Sequence, residues 1–158
     1  HVLSRRQRQM CIRDRIIPSG NWVVDLQRFS EAINDNVWSA ARTDMVMVGG
    51  ITNCKKAMDI SSISGMDCEI MSWGYTLVSV ANLHVMLASE NCTFYEQPLP
   101  YEMFEFGMKD VLRTSRDGYM HAPTKPGLGM EIDWNKMKEK IIYQFHCDKS
   151  KNIGHVHA

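Results

Sequence analysis

Hydrophobic residues recur at the spacing of an amphipathic helix early in the chain. The segment "DLQRFSEAINDNVWSAA" (25–41) places apolar side chains three or four residues apart, and Asp25 precedes them as a candidate N-cap. The residues on this apolar face are Leu26, Phe29, Ile33, Val37 and Ala40. The spacing predicts a helix over residues 25–41 with one face turned towards a core.

Two later segments also predict helices. "TNCKKAMDISSISG" (52–65) has Thr52 as a possible cap and Gly65 after its end. "LVSVANLHVMLASEN" (77–91) predicts a third helix.

Short apolar runs lie between these helices and predict strands. They are "RIIPSG" (15–20), which is typical of the tail of a strand, "DMVMVGG" (44–50), a buried strand closed by two glycines, "CEIMS" (68–72) and "CTFYEQP" (92–98). Strands that alternate with helices indicate an α/β fold with a parallel sheet. The spacing suits a barrel and a doubly wound sheet equally well. No G-x-G-x-x-G follows a strand, so the marker of dinucleotide binding is missing.

The character of the sequence changes after residue 100. Residues 101–140 are rich in turn residues, with "DG" at 117–118 and "KPGLG" at 125–129. This pattern predicts irregular chain packed on another part of the protein. The last segment, "SKNIGHVHA" (150–158), predicts a loose tail.

The segment "RRQRQMCIRDR" (5–15) has five arginines in eleven residues. A basic run can bind phosphates, but no aromatic residue accompanies it in 1–15 to stack on bases. The eleven residues also resemble, in order, the translation of a transposase sequencing adapter. We therefore expect residues 1–15 to be derived from an adapter and the protein sequence to begin near Ile16. A nucleic-acid-binding arm is the alternative.

Charge and composition then exclude several classes of protein. Without residues 1–15, 13 basic and 17 acidic residues remain, and this balance gives no reason to expect nucleic acid or a membrane as a partner. The longest apolar stretch (77–88) is interrupted by Asn82 and His84 and is shorter than the roughly 20 residues that span a bilayer. Widely spaced cysteines without C-x-x-C predict a reduced, cytoplasmic protein.

Four segments resemble the mandelate racemase and muconate lactonizing branch of the enolase superfamily. "RTDMVMVGGITNCKKAMDIS" resembles its sixth strand, which ends in an acid that is followed four residues later by a Gly-Gly turn and a helix. "CTFYEQPLP" resembles the eighth strand, "GNWVVDLQRFSEAI" the end of the fifth strand and its helix, and "DGYMHAPTKPGLGMEID" the C-terminal return into the capping domain. The resemblance covers roughly residues 16–140, in the same order.

The resemblance implies the last four strands or so of a modified (β/α)7β barrel in residues 16–100, a return into the capping domain in 101–140, and a tail in 141–158. It also implies a chemistry, in which a base removes the proton alpha to a carboxylate and Mg²⁺ stabilises the enediolate. The base and most metal ligands would lie upstream, so we expect a C-terminal fragment that is inactive alone.

The same resemblance implies site residues. Asp44 matches the acid at the end of strand six, which in many members pairs with a strand-seven histidine. Glu96 matches the strand-eight acid, which bonds a substrate carboxylate oxygen or acts as an acid. Both would be catalytic, because active sites of such barrels lie at the C-terminal ends of the strands. Asn21 stands at the position of a metal ligand on the fifth strand. Trp73 falls where the family has a histidine, and we expect it to shape the pocket or stack on substrate.

Because Trp73 replaces the histidine, the resemblance favours an acid-sugar dehydratase over a racemase. A racemase or epimerase, a cycloisomerase, and a non-catalytic barrel are the alternatives. The expected partner is a small carboxylate or acid sugar, and the parent protein is expected to be a homo-oligomer.

Overall fold

A computed structural model describes residues 25–148 and 153–157. The basic segment, the strand predicted at 15–20 and the predicted metal ligand Asn21 lie outside these ranges. The described elements, in chain order, are α1 (Leu26–Asn34), β1 (Ala41–Thr43), α2 (Ile51–Ile63), β2 (Cys68–Ile70), α3 (Thr76–Leu87), a 3-10 turn (Tyr101–Met103), α4 (Trp134–Lys138), β3 (Gln144–Asp148) and β4 (Ile153–His157).

Strands β1 and β2 pair in parallel, with Ala41 opposite Cys68 and Thr43 opposite Ile70. Helix α2 connects them, which confirms the predicted βαβ arrangement and the α/β class. Alternate residues of a strand point to opposite faces. Ala41, Cys68 and Ile70 accordingly lie in the core with residues of α1, α2 and α3. The residues between them, at positions 42 and 69, are only partly buried and point to the other face.

The prediction of a strand at 44–50 is wrong. The strand lies at 41–43, and the residues after it form turns in which the Val48 N–H donates to Asp44 O at 3.1 Å. Gly49 and Gly50 have φ of 84° and 116°, a backbone that an extended strand cannot continue. An apolar run followed by two glycines therefore marks a turn here, and Val46 is 55% exposed.

Helix α1 confirms the predicted cap but not the predicted length. The Asp25 carboxylate accepts a hydrogen bond from the Arg28 N–H at 2.7 Å, as an N-cap does. Phe29 and Ile33 are buried, as the apolar face requires. The helix ends at Asn34, because Asn36 takes a positive φ of 53° and turns the chain, which leaves Val37 half exposed.

Helix α2 begins after the Gly-Gly turn, with Gly50 as its N-cap. The predicted cap Thr52 is wrong, since it lies inside the helix, and Gly50 offers no side-chain bond. Gly65 does follow the C-terminus, where its φ of 67° suits glycine. Helix α3 confirms the third predicted helix and buries residues on several sides.

The predicted strand at 92–98 runs beside β2 without forming a ladder in the described structure. The Cys68 N–H donates to Asn91 O at 2.8 Å, which starts the pairing. The Glu69 carboxylate then accepts from the Phe94 N–H at 3.2 Å and the Thr93 hydroxyl at 3.3 Å. A side chain takes the acceptor role that a strand backbone would have, so no regular strand forms there.

The segment after residue 100 packs on α3 through a few anchors. Met108 and Ile132 form an isolated antiparallel bridge, and His84 Nε2 lies 3.2 Å from Leu128 O in the Pro-Gly-Leu-Gly turn. Lys125 pairs with Asp110 at 2.8 Å on the outside of the bridge.

The C-terminal residues form an antiparallel hairpin of β3 and β4, with His146 opposite His155. The expectation of a loose tail therefore does not hold for 153–157, which pair with β3. Within the described ranges no helix is long and apolar enough to cross a membrane.

Candidate functional site

Because β1 and β2 are parallel, their carboxyl ends lie at one edge of the sheet. Asp44 directly follows β1, and Trp73 lies three residues after the end of β2. In α/β folds this edge is where sites form. The positions predicted from the sequence are thus brought to the same side of the described structure.

Asp44 is a buried carboxylate held by its own loop. Its side chain is only 3% exposed, and Oδ1 accepts from the Val46 N–H at 2.6 Å. Burial raises the pKa of the Asp44 carboxyl above its usual value, although the bond from Val46 opposes the rise. Burial, together with the Asp44 charge, raises the pKa of the Cys54 thiol to about 12. Cys54 therefore stays a neutral thiol beside Asp44.

Asn82 of α3 joins the two strand ends. Its Oδ1 accepts from the Met45 N–H at 3.1 Å, and its Nδ2 donates to Met71 O at 3.0 Å. The side chain is fully buried. One amide thus bonds the residue after Asp44 and the residue after β2, and so sets the separation of the two loops.

Glu96 pairs with a residue that the sequence did not single out. Its Oε1 accepts a hydrogen bond from Nη2 of Arg42, in the middle of β1. The side chains are 25% and 31% exposed for Arg42 and Glu96 respectively. Asp44 and Glu96 share no hydrogen bond in the described structure. Glu96 pairs with Arg42, however, and Arg42 lies on β1, two residues before Asp44 along the chain.

Two buried polar atoms of the ion pair, Arg42 Nε and Glu96 Oε2, have no hydrogen-bond partner among the described residues. Buried polar atoms are normally paired, and exceptions call for an explanation. Both atoms belong to the Arg42–Glu96 pair, so this pair has hydrogen-bonding capacity left for a further polar group.

Trp73 is not a core residue. It is 57% exposed and packs edge-on against Phe104, with ring centroids 6.3 Å apart. Simple core packing is therefore excluded. The exposed part of the indole is available to line a pocket.

A magnesium site is not formed by the described residues alone. No group of three His, Cys, Asp or Glu side chains converges within 25–148 and 153–157. Asn21 is outside those ranges. The histidine of α3, His84, contacts Leu128 O, as a helical histidine with a structural role does.

Sequence reasoning missed Arg42 and Asn82. Asn82 had a signal, because it is a polar residue in an apolar helix and such residues are usually bonded. Arg42 also had one, since a charged residue within a short strand requires a partner. Neither signal identifies the partner, which lies 54 residues away for Arg42 and 37 residues away for Asn82.

The βαβ unit with a buried acid directly after β1 defines an α/β protein, and comparison with known proteins gives the family. A family model described as Enolase C-terminal domain-like matches residues 13–136. The chain belongs to this family within the enolase superfamily. No curated protein matches the sequence significantly.

Two solved structures show the relationship. A protein from Pseudovibrio sp., assigned to the mandelate racemase/muconate lactonizing enzymes, is 39% identical with a TM-score of 0.79, over 96% of this chain and 38% of that chain. D-glucarate dehydratase from Agrobacterium tumefaciens, solved with magnesium, is 34% identical with a TM-score of 0.61, over 72% of this chain and 30% of that chain. This chain thus spans less than two fifths of the length of either relative.

Proposed function

We propose that this chain is the C-terminal part of an acid-sugar dehydratase. Residues 16–100 would supply the last strands of a modified (β/α)7β barrel, 101–140 would return into a capping domain, and 141–158 would follow as a separate tail segment. Residues 1–15 would derive from a sequencing adapter. The observation that carries the functional proposal is the buried Asp44 carboxyl directly after β1, the strand that also holds the Arg42–Glu96 pair.

The reaction is the elimination of water from a 2,3-dihydroxy acid. A base removes the proton alpha to the carboxylate, the hydroxyl at the next carbon leaves as water with a proton from an acid, and the resulting enol becomes a 2-keto acid. Asp44 and Glu96 would be the acids of this chain at the site. The identity to D-glucarate dehydratase favours this reaction.

Racemisation is less well supported by the described residues. A two-base racemase needs a second base opposite the first, and in this family position the chain carries Trp73. None of the hydrogen bonds found for Asp44 comes from a histidine. An exposed indole instead supplies an apolar wall against the carbon skeleton of a sugar acid.

Magnesium is proposed as the cofactor of the whole protein, on the relationship to an enzyme solved with that ion. When bound, Mg²⁺ would stabilise the negative charge of the enediolate. Its ligands would come largely from outside the described residues, with Asn21 as the candidate in this chain. The other expectations, a homo-oligomeric parent and a cytoplasmic location, also remain proposals.

The test is a chimaera in which residues 16–148 replace the matching region of the Pseudovibrio relative. Acid sugars and Mg²⁺ are supplied, and 2-keto acid is measured as its semicarbazone. We expect turnover that falls at least about a hundredfold in Asp44→Asn, whereas Asp59→Asn, at an exposed helix position, leaves it unchanged.

A chimaera that folds, by circular dichroism, but forms no 2-keto acid would contradict the dehydratase. Exchange or inversion at the alpha carbon without elimination would identify a racemase, and binding without either change a non-catalytic barrel. The 158-residue chain alone is expected to turn over no acid sugar, and any turnover by it would refute its proposed inactivity.

A further inference from the structure

Arg42 is a cation on the open face of the sheet. Its neighbours in β1, Ala41 and Thr43, are buried, so the alternation of the strand sends Arg42 to the face away from the helices of the core. Glu69, its partner in the register, and Glu96 lie with it. A quarter of the Arg42 side chain remains exposed even with the ion pair formed.

The guanidinium has donors left over. Arginine carries five N–H donors in a fixed plane, and Glu96 occupies Nη2. Nε is buried and makes no hydrogen bond to the described residues. A quarter of the side chain is exposed, so the guanidinium N–H groups that Glu96 leaves free can bind a second acceptor without leaving Glu96.

The local charge explains why an anionic substrate needs a cation at this place. Asp44, Glu69 and Glu96 are all acids at or near this edge of the sheet, and an anionic substrate would be repelled by them. A Glu96 carboxylate that accepts from Arg42 is an acceptor, and it cannot donate a hydrogen bond to a substrate carboxylate. Arginine, in contrast, matches the geometry of a carboxylate.

We propose that Arg42 is a substrate-binding residue that recognises a carboxylate, and that Glu96 holds the guanidinium in position. This inference rests on the proposed function, because it takes the acid sugar as the ligand. It changes the role that the family resemblance implies for Glu96, from contact with the substrate carboxylate to orientation of Arg42.

The test is a binding titration of the 158-residue chain followed by NMR. D-glucarate is compared with glucitol, a neutral polyol with the same number of carbons. Glucarate is expected to shift the Arg42 Nε–Hε resonance and to bind about tenfold or more weakly to Arg42→Gln, because a charge-assisted bond is lost. Glucitol is expected to bind weakly and to be insensitive to this substitution.

Two variants serve as controls. Arg113→Gln breaks another Arg–Glu pair, in which Arg113 Nε lies 3.0 Å from Glu105, and it is expected to bind glucarate with unchanged affinity. Arg42→Lys keeps the charge without the planar fork, and its affinity is expected to fall between those of the wild type and Arg42→Gln.

The inference is overturned if saturating glucarate leaves the Arg42 resonance in place, or if Arg42→Gln binds as tightly as the wild type. Should Arg42→Gln fail to fold, the resonance shift and Arg42→Lys decide instead. Glucarate bound at Arg42 without dehydration in the chimaera would leave this inference standing and remove the proposed reaction. Dehydration by the chimaera together with unchanged glucarate binding by Arg42→Gln would support the proposed reaction and overturn this inference.

Discussion

Asn82 offers the sharpest test of how the carboxyl edge is built. Its amide makes two buried hydrogen bonds to main-chain groups of two different loops, at 3.1 Å and 3.0 Å. Asn82→Ala removes both and leaves the Met45 N–H and the Met71 carbonyl without that partner. The substitution should therefore lower the free energy of unfolding, and it should do so without touching the surface.

The magnitude follows from the cost of unpaired groups. A buried donor or acceptor left without a partner costs about 1–3 kcal/mol. Two such groups, partly relieved by local relaxation, give an expected loss of about 2–4 kcal/mol. With a urea m-value of about 1–3 kcal/mol/M, the midpoint of unfolding should fall by roughly 0.7–4 M.

Asn82→Asp separates the two bonds. It keeps an acceptor for the Met45 N–H but loses the donor to Met71 O, and it adds a carboxylate near the buried Asp44. At neutral pH the destabilisation should therefore be at least as large as that of Asn82→Ala. It should shrink as the pH falls, because a protonated carboxyl can again donate to Met71 O.

The assay is equilibrium unfolding in urea followed by far-UV circular dichroism. Asn34→Ala, at an exposed position in α1, is the matched control and should change the stability by less than about 0.5 kcal/mol. A loss below about 0.5 kcal/mol for Asn82→Ala would refute the view that this amide supports the two loops.

Three further outcomes are expected. The Ser115 hydroxyl and the Tyr119 N–H lower the pKa of the exposed Asp117 to about 2. The stabilisation that Asp117 provides is therefore present above pH about 4 and is lost as the pH falls towards 2. A carboxyl NMR titration checks this, and Ser115→Ala should raise the titration midpoint of Asp117. Burial raises the pKa values of Cys54, Cys68 and Cys92 to about 12. These thiols should therefore react with a disulfide reagent at pH 8 only after unfolding. Peptide mapping that finds one of them labelled in the native state would contradict this. Gly129→Ala should destabilise the protein by at least about 1–2 kcal/mol more than Gly118→Ala. Both positions have positive φ, but an added Cβ at 129 would lie 2.4 Å from Pro123 Cβ, while position 118 is open. Equal midpoints of unfolding in urea would show that the contact is relieved.

The sequence predicted the helices well and their ends less well. The 3–4 spacing places Phe29 and Ile33 in the core, as observed. It also places Val37 on the same face, although the chain has already turned at Asn36. Periodicity records which residues are apolar, and it does not record a left-handed residue that ends the helix.

The strands were harder to locate than the helices. The run at 44–50 is apolar because it packs near the core, with Val48 buried, yet its backbone bonds locally in turns. The strand itself, Ala41–Thr43, is short and contains an arginine. A three-residue strand gives too little pattern for alternation to be read from the sequence.

The sequence identifies candidate site residues by their positions along the chain, but it does not identify the distant residues that bond them. Asp44 is a candidate because the resemblance places an acid at the end of strand six, and the strand ends of such barrels carry the site residues. The pairing of Arg42 with Glu96 depends on how distant segments meet, and so does the bridge through Asn82. Such long-range bonds follow from the packing of α3 and of the segment at 92–98, which the local sequence does not encode.

Asn82 and His84 lie two residues apart on α3, and each bonds a different part of the molecule. Asn82 reaches the turns after the two strands, and His84 reaches Leu128 in the Pro-Gly-Leu-Gly turn. The same helix, α3, therefore contacts both the strand ends and the return segment. Any free-energy coupling between ligands at these two places must be reciprocal. A ligand that binds the return segment would then change the affinity of a ligand at the Asp44 end by the same factor as the converse.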